Sequence, residues 1–466
     1  MSKSFYPFLF IVLAIFIAMA APDLFADGMF MDGLFYAVIS KNLAHGEGSF
    51  WFLHFTDTVF PVFHEHPPLV FGIQSLFFKI FGDSILVEKL FSFSTYIITG
   101  FLMVLIWQEI TKKKFSEISW LPLLLWIFIP LVHWGAVSNM LENTMSVFVC
   151  LSVLFIIKSR SNKKYLYLSA AGLMLFCAFL SKGFTGLFPL SLPFWIFCFK
   201  HREIKAFLID MLLLLAGLLF PLLLIYVFDP EGIRSLEDYL NIQVLKSIQE
   251  IQTVNSRFFI LGKLFTELLI PMGMVVLVLI FGKREKLEKE NQQWFFVLLA
   301  LGLSGVLPIM VSLKQNGFYI LCALPFFALM LALLIAVPVK NWITKISLEG
   351  KGFKLFRRLS FLLVLLAFTI AVMQEGKIHQ HKTLIHSIQT IARFVPPHTV
   401  ISAPGSFRDN WSMHGYFKRY ADISMETQDN FKREYLFLDE KVFVPSDYER
   451  VPLRIIDYSL WKRRKN

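Results

Sequence analysis

Apolar residues run along this chain in blocks too long and too uniform for a soluble fold. About twenty consecutive apolar residues suffice to cross a bilayer as a helix. The sequence offers about eleven such stretches: 5–22, 84–110, 118–136, 144–158, 166–181, 185–199, 207–228, 259–281, 294–313, 318–339 and 359–374. The two that flank Lys182 are short and joined by the tight turn "LSKGFTG". Another apolar stretch, 68–82, is too brief to span and ends in "FGD", which predicts a helix lying near the interface. After residue 374 the pattern changes. "HKTLIHSIQTIARFV" has helical spacing, while "HTVISAPG" and "EYLFLDEKVFVP" read as strands, so 375–466 predicts a small soluble α/β domain. The expected architecture is therefore a polytopic α-helical membrane domain over 1–374, with loop and juxtamembrane helices at 23–83, followed by that domain.

Composition agrees. The chain is 56% hydrophobic and 17% charged, where soluble domains are about a quarter charged. The formal charge of +11 raises nucleic acid as a partner, and its placement removes it. The N-terminus and the connections 112–117, 158–165, 200–206, 282–293 and 340–358 hold 21 lysines and arginines. The alternate connections 23–67, 137–143, 182–184, 229–257 and 314–317 hold 6. Basic loops stay cytoplasmic, so the charge sets topology and no nucleic acid is needed. The same alternation places 23–67 and 375–466 on the trans side, periplasmic or extracellular. It also favours an uncleaved first span over a signal peptide, although Met19-Ala20-Ala21 is weakly compatible with cleavage. The four cysteines, Cys150, Cys177, Cys198 and Cys322, lie in apolar runs without ligand spacing, which predicts small buried hydrophobes.

Ionisable groups gather on the trans side. Asp32 precedes a helical pattern of Leu34, Phe35, Val38, Ile39 and Leu43, as an N-cap or as a base. His64, Glu65 and His66 stand directly before Pro67 and Pro68, as metal ligands, phosphate partners or a solvated loop. Glu142 sits at the mouth of the fourth span, Lys182 at the tip of two short spans, and Lys314 and Tyr319 at another trans-side turn. A snorkelling lysine or a solvated helix-end charge explains each of these singly. Arg257, at the end of the connection 229–257, joins the candidate cations.

Their order and spacing resemble the GT-C membrane glycosyltransferases of the protein O-mannosyltransferase and lipid A aminoarabinose transferase superfamily. The motifs are "MDGLFYAVISKNLAHG", "HEHPPLVFGIQSLFFKIFG", "MLENTMSVFVCLSVLFI", "LSKGFTGLFPL" and "SLKQNGFYILCALPFFAL", over about residues 5–375. The C-terminal domain has no such counterpart. Two departures stand out. Gly33 occupies the second position of the family's acidic pair, leaving Asp32 as the lone candidate base, and His66 stands where the family carries a lysine.

The resemblance implies a GT-C fold and an inverting transfer of sugar from a polyprenyl-phosphate donor in the membrane to a hydroxyl of a glycolipid, glycan or protein. Asp32 and Glu142 are then the expected catalytic acids. Glu65, His66, Lys182, Lys314, Tyr319 and Arg257 are the expected donor-phosphate or substrate-binding residues. The envelope acceptor of first choice is lipopolysaccharide or lipid A, because the large lumenal insertion of the protein mannosyltransferases is absent. No cofactor is required. A divalent ion at His64, Glu65 and His66 is disfavoured, since adjacent side chains rarely face one ion. The competing readings are a transporter or lipid flippase and a non-catalytic scaffold. A transporter site lies near the membrane midplane, often between repeats, and the sequence shows no inverted repeat.

Overall fold

A computed structural model describes residues 5–160, 163–245, 252–282, 287–439 and 444–464. Among them nine helical stretches are long and apolar enough to cross a membrane, and the bent pair Ser116–Ile127 and Pro130–Val137 makes ten. The chain is an integral membrane protein. The count falls short of eleven because 166–181 and 185–199 form one apolar stretch, Lys164–Lys200. That stretch is not straight. The helix Lys164–Lys182 stops at Gly183, and a 3₁₀ segment Gly183–Ser191 leads into the helix Leu192–Lys200. A Cβ on Gly186 would lie 2.8 Å from the Ala178 carbonyl oxygen, so the chain folds back on itself. Its ends meet again where Lys164 and Arg202 both pair with Asp210.

Lipid offers no hydrophobic drive for helix pairing, so small residues set the contacts. The helices Phe5–Leu24 and Lys351–Val372 meet through Ala14, Ala21, Ala367 and Ala371. Lys164–Lys182 and Ile204–Phe228 approach at Gly172 and Gly217, where an added Cβ would come within 2.3 Å and 2.4 Å of opposing carbonyl oxygens. The expected span 118–136 is broken by 82°. Pro130 lacks the N–H that would continue a helix, and the Glu267 carboxylate accepts the Leu131 N–H at 2.7 Å where the helix restarts. Cys150 and Cys322 are buried as expected and Cys177 is half-buried. Cys198 is exposed, because its helix turns that face outward.

The two sets of connections separate in space. At one end Lys112–Glu290, Lys114–Glu288 and Lys340–Glu117 tie together the basic connections. The sparsely charged set converges at the other end, under the C-terminal region. There the five strands β1 (Val400–Ala403), β2 (Ser424–Thr427), β3 (Tyr435–Asp439), β4 (Tyr448–Arg450) and β5 (Tyr458–Arg463) form one sheet of order β2-β1-β3-β5-β4. β1 pairs in parallel with β2 and β3, while β5 pairs antiparallel with β3 and β4. The expected helix is Lys382–Ile391, and a second helix, Trp411–Ala421, links β1 to β2. The expected strand 434–445 is β3, and residues 440–443 of it lie outside the described residues.

This sheet domain is clamped to the juxtamembrane segments. Arg419, buried, binds both oxygens of buried Glu88 at 3.1 and 2.9 Å and the carbonyls of Asp83 and Ser84. The Met29 N–H donates to the Tyr416 hydroxyl at 3.0 Å, and Lys418 pairs with Glu47 at 2.8 Å. Thr58 donates to the Met425 carbonyl at 2.6 Å.

Candidate active site

The helix Met31–His45 lies under the sheet domain and starts without a side-chain cap, its N-cap being Phe30. Asp32 is the second residue inside it, so the N-cap reading of Asp32 does not hold. The helix is fixed from below by a buried amide chain. Ser40 donates to Gln74 at 2.8 Å, Gln74 to Asn139 at 2.7 Å, and Asn139 to the Gly33 carbonyl at 2.9 Å. A Cβ on Gly33 would sit 1.9 Å from the Ser138 carbonyl oxygen. Backbone therefore occupies the space that a second acid would need. Gln74 belongs to the helix Leu69–Phe81, the expected interfacial helix, which begins directly after the double proline.

Two adjoining cavities open above this platform, with volumes of about 210 and 280 Å³. They share His66, Lys182, Gln243, Lys314 and Tyr319. The larger adds Asp32, Glu65, Asn316 and an aromatic wall. The smaller adds Glu142, Phe184, Thr185, Tyr239 and Ser312.

Within them Lys182 forms an ion pair with Glu142, their side chains 9% and 1% exposed. The ammonium also lies over the rings of Tyr319 and Phe318, 4.9 and 5.2 Å from their centroids. The lysine does not snorkel. The second carboxylate oxygen of Glu142 is buried and makes no hydrogen bond among the described residues. Burial pushes the Asp32 carboxyl up, with Glu142 adding to the rise and Lys182 and Lys314 opposing it. Glu65 is raised by burial and by Asp32, against the pull of Lys314. Burial and the proximity of Lys182 lower Lys314, against the pull of Glu65 and Asp32. Lys314 also reaches Gln243 at 3.4 Å.

Burial and the two lysines hold the His66 imidazole well below its ordinary range, which favours its neutral form. Its Nε2 lies 3.2 Å from the Tyr36 hydroxyl, which burial keeps protonated. With Tyr36 donating, the ring proton sits on Nδ1, where it has no hydrogen-bond partner among the described residues and can meet an oxygen ligand. Lys182 and Lys314 are the cations that line the same cavities as His66.

The structure brings Asp32, Glu65, His66, Glu142, Lys182, Lys314 and Tyr319 to these cavities and leaves two expected residues out. Arg257 has an exposed side chain, and its carbonyl accepts from Gln315. His64 points to Asp238 at 3.7 Å, away from Glu65 and His66, so the triplet does not form a ligand set. Among the described residues the metal-ligating group that does converge is Glu47, His398 and Asp422, where Lys418 already places its ammonium 2.8 and 2.5 Å from the two acids. Tyr36, Gln243, Asn316 and Trp411 were missed by the sequence reading. Tyr36 was legible, being four residues after Asp32 and so on the same helix face. The other three carry no local signal.

A family model described as dolichyl-phosphate-mannose-protein mannosyltransferase matches residues 65–226, about a third of the chain. No curated protein matches the sequence. Among solved structures, ArnT from Cupriavidus metallidurans bound to undecaprenyl phosphate superposes with a TM-score of 0.68 at 12% identity, over 99% of this chain and 98% of that one. The same protein in the apo state gives 0.67 at 12% identity, over 97% of each chain. The Archaeoglobus fulgidus oligosaccharyltransferase in the apo form gives 0.54 at 14% identity, covering 93% of this chain and 65% of that one. At these identities the likeness is one of fold. The chain has a GT-C fold along nearly its whole length, sheet domain included.

Proposed function

We propose that this integral membrane protein is an inverting glycosyltransferase that moves a sugar from a polyprenyl-phosphate donor to a hydroxyl of a cell-envelope acceptor such as lipopolysaccharide or lipid A. One observation carries the reading. A half-buried carboxylate, Asp32, shares a chamber with two lysines, and that chamber adjoins a mostly apolar one at the end of the membrane helices. The partial family match and the fold of a structure that holds undecaprenyl phosphate support the same donor class.

The chemistry follows from the placement. The donor phosphate sits where the cavities join, facing Lys182, Lys314 and the His66 Nδ1–H, and the isoprenoid tail leaves along Phe184 and Tyr239. The acceptor hydroxyl enters the larger chamber beside Asp32. Its oxygen attacks the anomeric carbon from the face opposite the phosphate, the C–O bond to phosphate breaks, and the hydroxyl proton passes to Asp32. No covalent sugar–protein bond forms, so the anomeric configuration inverts. A raised carboxyl is a stronger base than a free one, which suits proton abstraction near neutral pH. The cations stabilise the leaving phosphate in a site largely shielded from water, where charge-assisted contacts are strong. Glu142 holds Lys182 in position. The reaction requires no cofactor.

The few basic residues at this end support a membrane orientation with the site outside the cytoplasm, in a bacterial inner membrane facing the periplasm. The test is transfer from a labelled polyprenyl-phosphate sugar pool into envelope extract by protein in vesicles. Wild type should transfer label and Asp32→Asn should not. Equal turnover by both would remove Asp32 as base.

A further inference from the structure

Trp411 is the one residue of the C-terminal region that lines the larger chamber among the described residues. It opens the helix Trp411–Ala421, whose cap is Asn410, the side-chain oxygen accepting the Met413 N–H at 3.1 Å. Its indole stacks on Phe60, the centroids 5.7 Å apart and the planes 28° from parallel. It meets Phe35 edge-on at 6.5 Å. Phe35 lies on the helix that carries Asp32, and Phe60 on the loop that carries Glu65 and His66. The sheet domain is clamped to both segments, so the indole is held in place relative to the reacting groups.

The polar groups that share its chamber have a definite character. Glu65 offers a carboxylate, and Asn316 and Gln243 offer amides that both donate and accept. A flat aromatic side chain in a chamber that also holds carboxylate and amide groups suits a sugar ring, whose apolar C–H face stacks while its hydroxyls hydrogen-bond. A peptide hydroxyl on an extended chain has no such face. We infer that Trp411 is a platform for the sugar ring that bears the acceptor hydroxyl, and that the acceptor is therefore a glycan or the sugar headgroup of a glycolipid. Trp411 is a specificity-determining residue, and the inference rests on the transfer reaction proposed above.

The experiment uses full-length protein in vesicles, with extract of cells grown on radioactive glucose as donor source and unlabelled envelope extract as acceptor source. The labelled product should survive exhaustive protease. Trp411→Ala should lower the initial rate at limiting acceptor about two- to tenfold, and the rate should recover at saturating acceptor. Trp411→Phe, which keeps a stacking face, should stay close to wild type. Binding of undecaprenyl phosphate should be unchanged in both. Label released by protease, an unaffected Trp411→Ala at limiting acceptor, or a deficit that persists at saturation together with weaker undecaprenyl phosphate binding would each overturn the assignment. A melting temperature for each variant separates loss of the platform from loss of the fold. If wild type transfers nothing, the proposed function fails and this inference falls with it. If wild type transfers and Trp411→Ala matches it, only this inference fails.

Discussion

Asp32, Glu142 and Lys182 illustrate how burial assigns different tasks to similar charges. Among the described residues Asp32 has no cationic partner at hydrogen-bond distance, and burial raises it, while Glu142 holds its lysine directly. As a general base Asp32 must be ionised, so kcat/KM should fall as pH drops through a value above the ordinary 3.8. Asp32→Asn should lose about 10²- to 10⁴-fold in turnover and abolish that acidic limb; a pH–rate profile of both proteins checks it. The linkage sign is also fixed. A carboxyl raised in the folded state favours folding only while protonated, so the ionised form opposes folding at neutral pH. Asp32→Asn should therefore melt at or above the wild-type temperature while inactive.

Lysine replacements need more care. Lys314→Met should weaken undecaprenyl phosphate binding about ten- to hundredfold, the value of a charge-assisted hydrogen bond. Lys182→Met should do the same and also destabilise the protein by about 3–5 kcal/mol, because it strands buried Glu142. Adding Glu142→Gln should recover most of the stability and none of the binding. Calorimetric titration and thermal melts of the three variants distinguish these effects.

At the scale of elements, two glycines show what fixes their motif positions. Gly33 faces the Ser138 carbonyl so closely that no side chain fits. Gly33→Glu, which would place a second acid beside Asp32, should fail to give folded protein rather than improve catalysis; yield and melting temperature after detergent extraction report it. Gly183, after Lys182, has φ +81°, and a Cβ there would meet the Tyr239 hydroxyl at 1.8 Å. The "SKG" turn thus needs glycine twice over, once for its backbone angle and once to make room for the Tyr239 side chain that lines the smaller cavity.

For the whole molecule, the sheet domain and the membrane domain work as one body around the site. The Arg419–Glu88 pair is 2% and 4% exposed, and Arg419 also binds two carbonyls. Arg419→Ala should cost about 3–5 kcal/mol and loosen the wall that carries Trp411; thermal melting and limited proteolysis near residue 375 measure it. Topology is tested by single cysteines at Ser347 and Ser406, both exposed, after Cys198 is replaced. A membrane-impermeant reagent added outside intact cells stripped of their outer membrane should label position 406 and spare 347. The reverse would invert the orientation.

The sequence by itself determined the membrane class, the alternation of its connections and most of the charged residues that meet at the site. Each of these is carried by a local property: twenty apolar residues, a count of basic residues, a short motif next to a span end. It also determined the existence of the sheet domain, though only its first helix and two of its strands, because strands such as β2 and β4, four and three residues long, take their identity from their neighbours. Tertiary structure alone decided that Arg257 and His64 stand outside the cavities, that His66 lies in them beside two lysines and that Lys182 is paired. It also decided that Gln243, Asn316 and Trp411 line the chamber. Those properties depend on burial and on partners up to 379 residues away from Asp32 along the chain, and neither is written in the local pattern.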